Sequence, residues 1–282
     1  MDEIYFSNKK EALSFCDFLF AQKDEMSVQW HYHKKWGHVV LVNENQEKEE
    51  LVVRGLIHVY VIHRERSWLI DIIRNCYYFS DDDEVAHIYE LCCSFRDEPD
   101  QWGEDHPSSY RHSQQLERLR EVFKEALEKG EGFAFDSIIT FRFQRFYDEL
   151  IEVVGEAIDE YKREQDYQTY IQHLREYLQA NPSKVERLSI VQSQPFIFYS
   201  HKGRRYTSEE IKKLTEDYPL YLFGLGTDEL DLTPIMALAP NRISIYGNDP
   251  SDPKTLTVMN IFQERAEFLP LNKFPFKRLS PF

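Results

Sequence analysis

A run of apolar residues at helical spacing, between Phe133 and Leu178, constrains the fold of this chain more than any other feature. Its first half steps by three or four residues through Phe143, Tyr147, Leu150, Val154, Ile158 and Tyr161. A similar pattern follows the polar break at 162–165. Apolar residues at this spacing line one face of a helix, and that face needs a partner surface. The opposite face is acidic and is expected to meet water.

Asn181-Pro182 ends the pattern, because the residue before proline disfavours the α region. The spacing predicts one long helix, or two helices that meet near Gln165.

The other patterns divide the chain into regions. The N-terminal part alternates short helical and strand-like runs, with strands predicted at 28–32 and 36–42 and helical character over 51–79. Segment 97–109 holds Pro99, Gly103 and Pro107 among acidic residues, which is typical of a linker. We therefore predict an N-terminal α/β region at 1–96, a linker at 97–109, a central helical region at 110–181 and a C-terminal α+β region at 182–282.

The C-terminal region mixes strand and helix signals. Residues 185–192 alternate like a strand, and 196–206 read as a hairpin or a sharp turn around Gly203. Thr207 to Glu210 fits a capping box that opens a short helix. Asp252-Pro253 is a typical helix start. The fold class predicted for the whole chain is α+β and mostly helical.

Composition argues against several classes of partner. The 282 residues carry a net charge of −15, with a sequence pI near 5.2. Such a charge disfavours broad binding to nucleic acid or to an anionic membrane. No window is long and apolar enough for a membrane span, and the acidic N-terminus lacks a secretory h-region. The cysteines show neither CxxC nor zinc-type spacing, so we expect reduced thiols in a cytoplasmic protein.

Few residues form patterns that carry chemistry. His31 and His33 share one face of a predicted strand, and His38 lies close in sequence, but no Cys or carboxylate ligand accompanies them. Metal binding and ordinary strand packing both stay open for this group. Gly224-Leu225-Gly226 lacks the third glycine of a dinucleotide loop, and no P-loop or nucleophile elbow is present. We therefore assign no catalytic residue, no metal and no cofactor.

Two groups of basic residues are candidates for binding an anion or a partner. Lys202, Arg204 and Arg205 form a cationic cluster on the Gly203 turn. The cluster either holds a phosphate or an acidic partner, or is a solvated tip that pairs with the following glutamates. Arg142 lies among phenylalanines, where an arginine is either stacked structurally or held for recognition. The sequence does not separate these alternatives.

Several short motifs resemble a known family. They are Phe141-Arg142, Asp159-Glu160-Tyr161, Asp166-Tyr167, the turn Leu238–Ile243 and the segment Thr257–Phe262. Over about residues 130–268 the chain resembles the YtxC-like family of endospore-forming bacteria. The resemblance implies a role in spore formation and no particular reaction.

Three functional hypotheses follow. The first is a cytoplasmic, non-enzymatic protein that acts through protein contacts, with a partner that is acidic where it meets the basic turn. The second is an enzyme acting on a phosphorylated or nucleic-acid substrate near residues 202–205. The third, a regulator that binds nucleic acid, is disfavoured by the net charge.

Overall fold

The fold is α+β and mostly helical, which confirms the predicted class. A computed structural model describes residues 2–21, 28–42, 49–97, 107–142, 144–216 and 231–276. The chain divides into two compact units, Met1–Lys162 and Arg163–Phe282. The regions proposed from sequence remain a prediction, and residues 98–106 of the proposed linker lie outside the described residues.

The first unit combines a small sheet with a set of helices. Its strands are β1 (Asp2–Phe6), β2 (Val28–His33), β3 (Gly37–Val42) and β4 (Phe133–Ala134). Its helices are α1 (Lys9–Ala21), α2 (Glu49–Val59), α3 (Arg66–Asp71), α4 (Asp82–Asp97), α5 (Pro107–Glu128) and α6 (Phe135–Arg142). Two π-helical segments, Tyr60–Glu65 and Ile72–Cys76, make α2 and α3 one continuous run. This run confirms the helical character predicted for residues 51–79 as far as Cys76, whereas residues 77–79 are not helical.

The strand order of the first sheet is β2-β3-β1-β4, with β1 antiparallel to β3 and parallel to β4. Successive side chains on a strand point to opposite faces. Ile4, Phe6, Val40 and Val42 therefore share one face, and they are fully buried against α1, α2 and α5. The strand β2 is at the sheet edge, and most of its residues are exposed.

The apolar stripe from Tyr147 to Leu178 lies in a single helix, α7 (Gln144–Ala180), and Phe143 lies outside the described residues. This decides between the two alternatives that the sequence left open. Leu150, Val154 and Ile158 are buried against α3, α4 and the second π segment, as the spacing predicts. The side chain of Tyr147 is partly buried, and its ring packs on Trp68 at 5.7 Å between centroids. The boundary between the two compact units lies inside α7.

The second unit builds a second sheet from β5 (Arg187–Val191), β6 (Ile197–Ser200), β7 (Arg242–Gly247) and β8 (Ala266–Pro270). Its helices besides the end of α7 are α8 (Ser208–Glu216), α9 (Leu232–Leu238) and α10 (Pro253–Phe262). The strand order is β6-β5-β7-β8, in which β5, β7 and β8 are parallel and β6 is antiparallel to β5. Asp252 caps α10 by accepting a hydrogen bond from the Thr255 N–H at 2.9 Å, as predicted.

One face of the second sheet is apolar and buried. Leu188, Ile190, Phe198, Ile243 and Ile245 belong to the same core cluster as residues of α7, α9 and α10. Side chains alternate between the two sides of a strand, so the residues between these buried positions point to the opposite side of the sheet.

Replacement of Leu150 by Ala is expected to lower the free energy of unfolding by about 2–5 kcal/mol, the usual range for a buried leucine. Leu150 is 2% exposed in the core between α4 and α7. Leu13, at 38% exposure on α1, is the matched control and should change stability by less than about 0.5 kcal/mol when replaced by Ala. Urea unfolding of both variants gives the comparison, and equal losses would show that the stripe is misassigned.

The four thiols should differ sharply in reactivity. Cys76 is exposed, whereas Cys16 and Cys92 are buried. Burial raises the pKa of the Cys16 thiol to about 11 and also raises the pKa of Cys92. Because the thiolate is the reactive form, iodoacetamide at about pH 8 should alkylate Cys76 in the native protein well before Cys16 or Cys92. Peptide mass spectrometry measures the order, and rapid native labelling of Cys92 would contradict it.

Candidate functional site

The basic turn is a tight hairpin at the end of β6. The Gly203 N–H donates to the Ser200 carbonyl, and the Ser200 N–H donates to the Arg204 carbonyl, each at 2.9 Å. Gly203 has a φ of +80°, and a Cβ at this position would lie 2.5 Å from the Phe276 ring. Only glycine meets both requirements without strain. The turn predicted at Gly203 is confirmed, and it leaves Lys202, Arg204 and Arg205 exposed.

Arg204 is engaged within the chain. Its guanidinium forms an ion pair with Glu210 at 2.5 Å and lies 5.3 Å from the Tyr206 ring centroid. Glu210 also accepts from the Thr207 N–H at 2.9 Å, while its own N–H donates to the Thr207 hydroxyl, which completes the predicted capping box. The Thr207 N–H and the Arg204 charge lower the pKa of Glu210, and the carboxylate raises the pKa of Arg204.

Lys202 and Arg205 differ from Arg204. Among the described residues, neither makes a hydrogen bond or an ion pair. Of the three basic residues, only Arg204 therefore pairs with a following glutamate. The other two cations keep their donors for solvent or for a ligand.

Two further arginines lie at the same end of the second sheet. Arg187 and Arg242 are the first residues of β5 and β7, and they are paired across the parallel ladder. They point away from the buried face and are exposed. Because β6 is antiparallel to β5, with Leu188 opposite Ser200, the basic turn follows β6 at the same end. Sequence reasoning missed both arginines.

We call Arg187, Lys202, Arg205 and Arg242 together the arginine face. Arg205 is bridged to Tyr199, which pairs with Ser189, so Arg205 points to the same side of the sheet as Arg187. Neighbouring strands are about 4.8 Å apart and alternate residues about 6.6 Å apart. These spacings put long arginine side chains within reach of one ligand. Planar guanidinium groups bind carboxylates and phosphates through two parallel hydrogen bonds.

The other half of the same sheet side is aromatic and covered. Tyr199 and Tyr246 are 8% and 7% exposed. The Phe274 ring lies 5.0 Å from Tyr199 and 5.2 Å from Tyr246, and Phe276 stacks on Tyr199 at 6.3 Å. This packing fixes Phe274 and Phe276 on the sheet and brings Phe276 against the turn at Gly203, while Arg187 and Arg242 stay exposed. Among the described strand residues, one carboxylate lies on this side, that of Glu267, which accepts a hydrogen bond from Ser244 at 2.9 Å.

The remaining sequence candidates do not form a site. The side chain of Arg142 and the residues Gly224–Gly226 lie outside the described residues. His31 and His33 share one side of β2, whereas His38 pairs with Tyr32 and therefore points to the other side. In the described ranges, no group of His, Cys, Asp and Glu is arranged to hold a metal ion. The Asp81 carboxylate caps α4 by accepting from the N–H groups of Asp83 and Glu84 at 3.0 Å.

One Ser–His contact in the first unit was also missed by sequence reasoning, because its members are far apart in the chain. The Ser14 hydroxyl and the His63 Nε2 are 2.7 Å apart. Burial lowers the pKa of His63, so the neutral imidazole is favoured. The neighbouring carboxylates of Glu11 and Asp136 bind Arg64 instead. In the described structure no carboxylate hydrogen-bonds to His63, so a triad is not assembled and the contact holds α1 against the π segment.

The comparisons with known proteins agree on one family. The YtxC-like family profile matches residues 50–267. The chain is 31% identical over 226 residues to a protein of Bacillus subtilis (strain 168) described as "Uncharacterized protein YtxC". The match covers 78% of this chain and 76% of that protein. No solved structure matches the chain significantly.

No helix in the part of the chain that the structure describes is both long enough and apolar enough to cross a membrane.

The Arg204–Glu210 pair predicts a pH-dependent contribution to stability. The folded-state pKa of Glu210 is lowered below its ordinary value of 4.5. The stabilisation is therefore present above about pH 4.5 and is lost as the pH falls through the lowered pKa. The variant Glu210→Gln should be less stable than the parent at neutral pH, and the difference should shrink in acid. Thermal melts across this range measure it. A difference that grows in acid would contradict the assignment.

Proposed function

The chain belongs to the YtxC-like family, and from that premise we propose that it is a cytoplasmic protein of spore formation that acts by binding an acidic protein through the arginine face. Catalysis has no part in this role. The family resemblance supports the link to sporulation. The arginine face supports the mode of action.

The observation that carries the proposal is the concentration of exposed cations in an acidic chain. Four basic side chains lie at one end of one sheet, in a protein with a net charge of −15. In the described structure, none of the four side chains makes a hydrogen bond or an ion pair. Self-repulsion in an acidic protein favours the pairing of cations with its own carboxylates. Cations that are left without such a partner are available for an external anion.

A carboxylate-bearing protein fits this face better than a long nucleic acid does. The cations are compact rather than distributed along a track, and the net negative charge opposes a long run of phosphates. Charge complementarity of this kind steers the encounter and sets the register of a complex. Most of the affinity would come from the arginines that bind two carboxylate oxygens each.

An enzyme acting on a phosphorylated or nucleic-acid substrate is the second candidate, and one feature favours it. A cleft of about 240 Å³ next to the turn is lined by the polar side chains of Ser193, Gln194, Arg205, Tyr206 and Ser208, together with apolar side chains. A guanidinium and hydroxyl groups in one cleft are suited to a phosphate group. Binding of inorganic phosphate or a phosphopeptide at this cleft, with turnover, would support the enzyme over the adaptor.

The proposal is tested by removing the charges of Arg187 and Arg242, the two residues of the arginine face that lie on strands. We expect Arg187→Gln with Arg242→Gln to reduce the amount of partner protein that co-purifies from sporulating cells by several-fold. The melting temperature should change little, because both side chains are exposed. Capture by the parent should also fall as salt is raised, since exposed charges are screened.

The matched control variant removes two positive charges at positions outside the arginine face. Lys162 and Lys273 are exposed and lie outside the arginine face, and Lys273 follows the opposite end of the sheet. The variant Lys162→Gln with Lys273→Gln should capture the partner as the parent does. Heat-resistant spore counts in a host that lacks its own copy provide a second readout. Equal capture and equal spore counts for all three proteins would contradict the proposal.

A further inference from the structure

The hairpin of β2 and β3, residues Val28–Val42, exposes three large aromatic rings in the first unit. We call it the aromatic hairpin. Trp30, Tyr32 and Trp36 are 40%, 65% and 49% exposed. The rings are held in place by neighbours: Trp30 is stacked on His38 with centroids 5.8 Å apart, and Tyr32 lies 5.2 Å from the same imidazole. Trp36 packs on Tyr5 at 5.5 Å on the other side of the sheet.

The charge of the aromatic hairpin is opposite to that of the chain. Residues 28–42 contain no Asp or Glu, whereas the whole chain carries a net charge of −15. Lys34 and Lys35 form the turn, and the Lys35 ammonium lies 4.5 Å from the Trp36 ring centroid. The Lys9 ammonium, at the start of α1, lies 5.8 Å from the Trp30 ring centroid. Trp30 and Trp36 therefore each have a lysine ammonium group beside the ring.

From this arrangement we propose that the aromatic hairpin binds single-stranded nucleic acid. Bases stack on Trp30 and Tyr32, and the phosphates of the same strand meet Lys9, Lys34 and Lys35. Exposed aromatic faces combined with cations are the means by which proteins bind single strands without reading their sequence. Trp36 lies on the other side of the sheet and is not part of this stacking surface.

The geometry selects a single strand over a duplex. Trp30 and Tyr32 are two residues apart on one side of β2, which separates them by about 6.6 Å. Successive phosphates on one strand of a duplex are about 3.4 Å apart along the axis, and the stacked bases of a duplex hide their faces. Rings at about twice that spacing fit an extended, unstacked strand. β2 is also the edge of its sheet, where both of its sides are open.

The acidity of the whole chain does not prevent local binding. Charges are screened beyond about 8–10 Å at physiological salt, so the charges close to the hairpin determine whether an anion binds there. A carboxylate lies near the Trp36 side: Glu3 accepts a hydrogen bond from Tyr5, whose ring contacts Trp36. Tyr32 should therefore contribute more than Trp36. Lysine and tryptophan side chains also suit an anionic lipid interface, so lipid vesicles are the competing partner in the test.

The probe is a fluorescein-labelled oligothymidylate of about 15 nucleotides, a length near the upper site sizes of single-strand binding folds. Fluorescence anisotropy with the full chain measures the affinity. We expect Tyr32→Ala to weaken binding about tenfold, which corresponds to the loss of one stacked base. We expect Lys34→Glu with Lys35→Glu to weaken it at least as much. If three lysines contact phosphates, raising salt from about 50 to 200 mM should weaken binding about twentyfold.

Two controls separate a specific surface from general effects. Phe141→Ala removes a ring that is 83% exposed elsewhere in the first unit, and Lys162→Glu with Lys273→Glu makes the same charge change at exposed residues of other elements. Both should bind as the parent does, and so should Arg187→Gln with Arg242→Gln. That last result distinguishes this site from the arginine face. Lys34 and Lys35 are exposed turn residues, so their variant tests the site even if Tyr32→Ala unfolds.

Several outcomes would overturn the proposal. They are no binding by the parent, equal losses in the control variants, or binding of duplex DNA as tight as that of the single strand. Vesicles of phosphatidylcholine and phosphatidylglycerol serve as the comparison for a membrane. Binding to these vesicles without binding to the oligonucleotide would assign the hairpin to a lipid surface instead.

Discussion

The burial of one side of each sheet against helices is the constraint on which the rest of this structure depends. Side chains alternate along a strand, so the apolar positions Ile190 and Ile245, once packed against helices, force Arg187 and Arg242 to the other side. In the first sheet, Trp30 pairs with Val40 and therefore lies on the same side as the core, but its ring is exposed because β2 is the edge strand. Alternation places the arginines, and the edge position exposes the rings.

This constraint produces two different surfaces on one chain. The second unit presents arginines at one end of its sheet, next to a turn whose shape depends on Gly203 and on the ring of Phe276. The first unit presents rings and lysines on an edge hairpin. Both surfaces are positively charged patches on an acidic protein. The net negative charge repels anions at long range, whereas a local positive patch attracts an anion within a screening length.

Sequence patterns predict the local elements well where a single period dominates. The stripe through Leu150 and Val154 predicts the buried side of α7, because helical spacing alone determines it. The Gly203 turn and the Thr207 capping box follow from residue types within a few positions. The strands β1, β4 and β8 are not predicted, since β4 has two residues and none of the three shows a clear alternation bounded by turn signals.

The candidate sites require information that local patterns do not hold. Arg187 and Arg242 become neighbours only through the parallel pairing of β5 and β7, which are far apart in the chain. His38 is separated from His31 and His33 by the register of the hairpin, a one-residue property that reverses the side on which each side chain lies. The contact between Ser14 and His63 depends on the packing of α1 against a π segment. Tertiary pairing decides all three, so composition and spacing leave them open.

The most direct measurement is site-specific photocrosslinking in sporulating cells. A benzophenone amino acid at the exposed position His201, next to Lys202, places the crosslinking group beside the arginine face and keeps its four cations, and the same group at the exposed position Leu256 on α10 is the control. The account predicts a discrete protein adduct from position 201 that is absent from position 256. Identical crosslinking patterns from both positions, or no adduct from position 201, would contradict the claim that the arginine face binds a protein partner.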